Sequence, residues 1–147
     1  MNKRFVIVVD SIDVNDSSGS KANVAIITNL AAIAKSVLVL HYTQQNIFLN
    51  NVECVAIKEK KNNLFYLLSR TQRIIQRYLK INLARYLEPI FGFSFTFFND
   101  VNSIKQTLIK QNFTEVDLIL TLSKGGSFRP HYAVNKLPYL HKKWIAY

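Results

Sequence analysis

The chain has 147 residues, a length that fits one domain with one core, and 49% of them are apolar with only four glycines and three prolines. That composition argues for a folded globular chain. No apolar run nears the ~20 residues needed to span a bilayer, and the lone Cys54 excludes an intrachain disulfide. The net charge of +10 favours anionic partners: nucleic acid, acidic lipid or a phosphorylated small molecule.

Phe5-Val6-Ile7-Val8-Val9-Asp10 is a short β-branched run ending at a carboxylate. Buried parallel strands have this character, apolar on both faces. The run follows Lys3-Arg4 but is shorter than the ~7–15 apolar residues of a signal peptide, so a cytoplasmic protein is expected. A polar loop from Ser11 to Gly19 leads into a helix that begins near Ser20, with Ala22, Ile26, Leu30 and Ile33 as one apolar stripe. Val37–Leu40 is a second buried strand, ending at His41-Tyr42, and Val52–Ile57 is a third with Cys54 in the core.

From Asn63 to about Leu87 the period turns helical, and Arg70, Arg73 and Arg77 share a face. Pro89 is expected to end that element. Phe91–Phe98 alternates Phe with small and polar residues, a strand-like period. A helix is expected over Val101–Gln111 with Asp100 as its cap. Asp117–Leu122 is a buried strand, running into the small-residue turn Ser123–Ser127 and a short helix near Pro130–Lys136. A last strand starts near Lys143. Because Trp144, Ile145 and Ala146 are apolar to the end, the chain is expected to continue beyond Tyr147. The order implies an α/β fold: a three-layer Rossmann-like domain, 1–147, with a mostly parallel sheet and helices on both faces.

In open sheets of this kind ligands bind beyond the carboxyl ends of the strands. The rule selects Asp10–Ser20, His41–Gln45 and Ser123–His131. Gly19 allows close backbone approach and the helix start at Ser20 suits phosphate; equally, Ser20 caps the helix and Gly19 turns the chain. GxGxxG and GxxxxGK[ST] are both absent, which disfavours an NAD-binding domain and a P-loop ATPase. Lys124, Gly125 and Arg129 precede or open the next helix. His131 beside them is a candidate general base or hydroxyl contact. His41 reads as structural and His141 carries no signal. Three scattered histidines and one cysteine give no metal-ligand spacing, and no GxSxG elbow is present.

The chain resembles the N-terminal domain of GT-B fold glycosyltransferases of the retaining, family-four type. The likeness rests on the strand Phe5–Asp10, the loop Ser17-Ser18-Gly19-Ser20, and the Asn29-Leu30-Ala31 pattern in the first helix. It extends to Asp117-Leu118-Ile119-Leu120, the helix carrying His131, and Lys143-Trp144-Ile145-Ala146. The resemblance implies the acceptor-side domain of a longer enzyme whose C-terminal, donor-binding domain lies outside these residues. It implies a nucleotide-sugar donor as substrate, with no resident cofactor, and a glycan or lipid-linked acceptor. Gly19 and Ser20 would then meet the donor diphosphate. Lys124, Gly125 and Arg129 would meet the acceptor, and His131 the transferred sugar or the acceptor. The isolated domain would be inactive.

Residues 64–98 interleave arginines with aromatic residues, a pattern that suits an anionic membrane surface, here the inner face of the cytoplasmic membrane. The same apolar side could instead pack on the sheet, leaving the arginines as a solvated face. A non-enzymatic α/β module binding a nucleotide or phosphorylated ligand is the alternative function. No helix-turn-helix, RRM or zinc pattern supports nucleic-acid binding.

Overall fold

The computed structural model describes residues 3–43, 45–124 and 128–147. It contains β1 (Arg4–Val9), α1 (Ser18–Ile33), β2 (Ser36–His41), β3 (Glu53–Ala56), α2 (Leu64–Leu79), α3 (Leu83–Phe91), α4 (Phe95–Ile109), β4 (Leu118–Leu122), α5 (Arg129–Asn135), a 3-10 turn (Pro138–Lys143) and β5 (Trp144–Ala146). The residues up to Lys58 together with Ile104–Tyr147 form one compact unit. Glu59–Ser103 forms a second.

In the first unit, five parallel strands run in the order β3-β2-β1-β4-β5. The β-branched run of β1 takes the centre, where both faces are covered, and its residues from Phe5 to Val9 are all buried. Side chains alternate across a strand. Accordingly Phe5, Ile7 and Val9 join Val37, Val39, Leu120, Leu122 and Ile27 of α1 in one apolar layer. Thr121 lies between Leu120 and Leu122 and so points to the opposite face, where its hydroxyl meets His131 of α5. Helices therefore cover both faces, giving the three-layer Rossmann-like arrangement expected from the strand and helix order. Ile104 and Leu108 of α4 are also fully buried.

Strand order reverses at β1. The chain adds β2 and β3 on one side and then returns to add β4 and β5 on the other. The loops after β1 and β4 consequently leave adjacent strands at the same edge, the topological switch point where such sheets bind ligands.

Several boundaries differ from the sequence reading. Helix α1 starts at Ser18, capped by the Ser17 hydroxyl, which accepts from Ser20 N–H at 3.1 Å. The cap is one helical turn earlier because that hydroxyl satisfies an otherwise orphaned amide. Cys54 is half-buried at the margin of the core, and burial raises its thiol pKa.

In the second unit, Asn63 caps α2 by accepting from Tyr66 N–H at 2.9 Å. The long helix expected over residues 63–87 is broken where Lys80 adopts a left-handed conformation, φ 53°. Pro89 lies inside α3 and does not terminate it; Gly92 does, at φ 78°, donating its N–H to Glu88 O at 2.8 Å. The Phe91–Phe98 segment is not a strand. Ser94 accepts from Phe97 N–H through its side chain and from Phe98 N–H through its carbonyl, starting a helix there. Phe93 and Phe97, four apart, stack with centroids 4.0 Å apart, and this local contact outweighs the two-residue alternation. Asp100 is buried inside α4 rather than capping it.

Candidate functional site

The switch-point edge is built around a carboxylate. Asp10 directly follows β1 and is only 3% exposed. Arg129, the first residue of α5, sets its Nε 2.9 Å from Asp10 Oδ1. The guanidinium carbon also lies 5.8 Å from the ring centroid of Tyr42, within cation–π range. Tyr42 is held beyond β2 by donating its N–H to Val9 O at 3.1 Å. The ion pair thus links the carboxyl end of β1 to the helix that follows β4, and the Tyr42 ring brings the end of β2 to the same guanidinium.

Two further contacts join the same loops. Lys124 Nζ lies 2.5 Å from Asp16 Oδ2. That ammonium, followed by the Ser11 hydroxyl, holds the Asp16 carboxyl below the usual carboxylate range. Asn23 of α1, almost fully buried, donates from Nδ2 to Ser123 O at 3.2 Å. Between these contacts the β1–α1 loop is shaped by its own side chains: Asp13 accepts from Asn15 N–H at 2.9 Å, and Ile12 donates its N–H to Thr43 Oγ1 at 3.1 Å.

Gly19 and Ser20 occupy the first turn of α1, beside this seam. The Ser20 side chain is fully buried and its hydroxyl lies 3.1 Å from that of Ser17, so its role is to support the turn. A Cβ on Gly19 would sit 3.7 Å from Ser17 Oγ and 3.8 Å from Lys124 Cγ, ordinary contact distances. A side-chain carbon would therefore fit there, and the backbone conformation does not call for glycine. First-turn amides beyond the one Ser17 takes lack intrahelical acceptors, which leaves this end of α1 electropositive.

His131 is the second focus. Its Nδ1 lies 2.6 Å from Thr121 Oγ1, and Trp144 donates its indole N–H to the same oxygen at 2.8 Å. Phe128 borders the imidazole, centroids 6.0 Å apart. Burial lowers the pKa of His131, and also that of His41. His41 is fully buried at the end of β2, with no hydrogen bond to Nδ1 among the described residues. Burial thus favours the neutral form of both imidazoles. His141 bonds Asn135 O through Nε2 at 3.1 Å. Gly125 lies outside the described residues.

Of the residues singled out from sequence, Gly19, Ser20, Lys124, Arg129 and His131 are thus carried by two adjacent segments, α1 with its preceding loop and Lys124–His131. Asp10, Asp16, Tyr42, Thr121 and Trp144 join them and were not singled out as site residues. For Thr121 a signal existed: it is the only polar residue in the strand Leu118–Leu122. Asp10 offered one too, as a carboxylate closing an apolar strand.

No protein-family model matches the chain, and no curated protein matches it. Among the described residues no group of three or more His, Cys, Asp or Glu could hold a metal.

Chemically, this edge offers helix N–H groups for an anion, one neutral imidazole, and two cations already neutralised by Asp10 and Asp16. An incoming phosphate would have to compete with Asp16 for Lys124. It would have much more difficulty displacing Asp10 from Arg129, because a buried carboxylate cannot be left without its partner.

The second unit has a different surface. Leu64, Leu67, Ile74 and Tyr78 of α2 are 49–80% exposed, whereas Ser69 and Gln72 are buried. Arg70 and Arg77 flank the outward apolar face, and Arg73 lies farther round, 3.5 Å from Glu59. From Lys60 to Leu87 the chain carries Lys60, Lys61, Arg70, Arg73, Arg77, Lys80 and Arg85 and no acidic residue. The apolar side of this helix is therefore solvent-facing and does not form a core stripe.

Replacing Arg129 by Ala removes the cation that lies against the buried Asp10 carboxylate. The expected loss in urea unfolding is about 3 kcal/mol, the low end for breaking a buried pair because Arg129 is partly exposed. An unchanged midpoint would mean that Asp10 is held by other groups.

Proposed function

We propose that this chain is the acceptor-side half of a GT-B type glycosyltransferase, which moves a sugar from a nucleotide-sugar donor to a glycan or lipid-linked acceptor. The observation that carries the reading is the seam at the carboxyl edge of β1 and β4. There, Asp16–Lys124, Asn23–Ser123 and Asp10–Arg129 tie the start of α1 to the segment bearing His131. A phosphate-suited helix end and a neutral imidazole on neighbouring loops are what such a transfer needs on its acceptor side.

In this reading, the acceptor hydroxyl forms a bond to the anomeric carbon as the bond from that carbon to the diphosphate oxygen breaks. The proton of the acceptor hydroxyl passes to the departing diphosphate oxygen, and the nucleoside diphosphate leaves. The first-turn amides of α1 that Ser17 leaves free, at Ser18 and Gly19, offset the charge growing on the diphosphate, with Ser20 beside them holding the turn. His131 hydrogen-bonds the transferred sugar or the acceptor, while Lys124, Gly125 and Arg129 border the acceptor. The donor is held mainly by a second domain, so these residues alone bind without turnover.

The reading includes work at the inner face of the cytoplasmic membrane. Among the described residues no helix is long and apolar enough to cross a bilayer. The outward apolar face of α2, flanked by arginines, suits the interface of an anionic leaflet, into which Leu64, Leu67, Ile74 and Tyr78 would dip.

Isothermal titration of the 147-residue chain separates this reading from a nucleotide-binding module. Glycan or lipid-linked acceptors should bind, with affinity lowered at least tenfold by His131→Ala, and free nucleotides should bind weakly. Tight, sugar-independent nucleotide binding would instead favour the non-enzymatic alternative. For the surface, flotation with vesicles containing anionic lipid should recover the chain at low salt. Recovery should fall several-fold in an Arg70→Ala/Arg77→Ala variant; equal recovery with neutral vesicles would contradict an anionic-leaflet site.

A further inference from the structure

The environment of His131 specifies more than its position. Three groups converge on one oxygen, Thr121 Oγ1: His131 Nδ1 at 2.6 Å, Trp144 Nε1 at 2.8 Å and Ile145 O at 3.4 Å. An indole nitrogen can only donate, so Trp144 occupies one lone pair of the hydroxyl. Thr121 has a single proton to give, and two candidate acceptors. Ile145 O at 3.4 Å lies beyond the 2.5–3.0 Å range of a good O–H···O bond, whereas 2.6 Å to Nδ1 is a short, strong one. The proton therefore goes to His131, and Nδ1 accepts it.

We propose that Thr121, whose hydroxyl also accepts from Trp144, is a positioning residue that locks His131 as its Nε2–H tautomer, so that His131 meets its ligand as a neutral hydrogen-bond donor and not as a general base. The ligand atom it fits is an oxygen with a free lone pair, of the kind a sugar hydroxyl or a phosphate presents. An imidazole that has its Nδ1 filled and its Nε2 protonated has no lone pair left to take a proton. Becoming a base would require the Thr121 proton to swing to the distant Ile145 carbonyl. Burial of the ring acts in the same direction, lowering its pKa. Among the described residues Nε2 makes no hydrogen bond, so its N–H remains for the ligand.

The role assigned to the donor rests on the glycosyl-transfer reading, but the tautomer does not, and the two fail separately. The test is long-range ¹⁵N–¹H NMR of the imidazoles in the ¹⁵N-labelled chain, without ligand, at neutral pH. His131 is expected as the Nε2–H tautomer, with Nδ1 in the unprotonated range. Thr121→Ser should keep that signature, and Trp144→Phe should keep it too, since Oγ1 still donates. Thr121→Val should abolish the bias and give a mixture of tautomers. An Nδ1–H tautomer or a protonated ring in the unmodified chain overturns the assignment, whatever the variants do. So does an unchanged tautomer in a Thr121→Val protein that still unfolds cooperatively. If the tautomer is found but His131→Ala leaves acceptor binding intact, the lock stands and the functional reading falls.

Discussion

The arrangement of the carboxyl edge of this sheet depends on one buried charge. Asp10 ends the central strand of an all-parallel sheet, at a point where water is nearly absent. A carboxylate there demands a cation, because the desolvation of an unpaired ion is worth several kcal/mol. Arg129 satisfies it from the start of α5, on the far side of the switch point. That demand draws the segment after β4 towards the loop after β1. The weaker links, Asp16 to Lys124 and Asn23 to Ser123, fix the seam once the strong one has formed. As a solvent-accessible pair, Asp16–Lys124 contributes little stability.

Much of this could be read from sequence because buried parallel strands are chemically conspicuous. Phe5–Val9, Val37–Leu40 and Leu118–Leu122 have no competing pattern, and all three form strands of the sheet. The switch-point rule then directed attention to the loops after β1 and β4, which the structure joins at one edge of the sheet. What could not be read were pairings between segments far apart in the chain. Nothing local in Asp10 or Arg129 announces the other, 119 positions away, and the Thr121 hydroxyl acquires significance only when α5 and β5 bring His131 and Trp144 to it. The errors lay where two periods coexist. Alternating phenylalanines from Phe91 to Phe98 mimic a strand, yet spacing of four between Phe93 and Phe97 equally serves a helix, and the Ser94 cap decides in favour of the helix.

The second unit shows the opposite relation between pattern and burial. An apolar stripe on a helix ordinarily marks the core side. In α2 the buried residues include Ser69 and Gln72, with the stripe turned outward beside arginines. Periodicity identified the helix correctly but did not determine which face would be covered, because that depends on what surrounds it. An exposed apolar face flanked by Arg70 and Arg77 is chemically complementary to an anionic interface, the partner proposed for it above.

The central claim is that ligand chemistry is concentrated at the carboxyl edge of β1 and β4. Amide chemical-shift mapping of the chain during titration with inorganic pyrophosphate tests it most directly. The account predicts the largest shifts in Ser17–Lys21, Ser123, Lys124 and Arg129–His131, saturating together. Shifts confined to the basic helix Leu64–Leu79, or scattered over surface lysines without saturation, would contradict it.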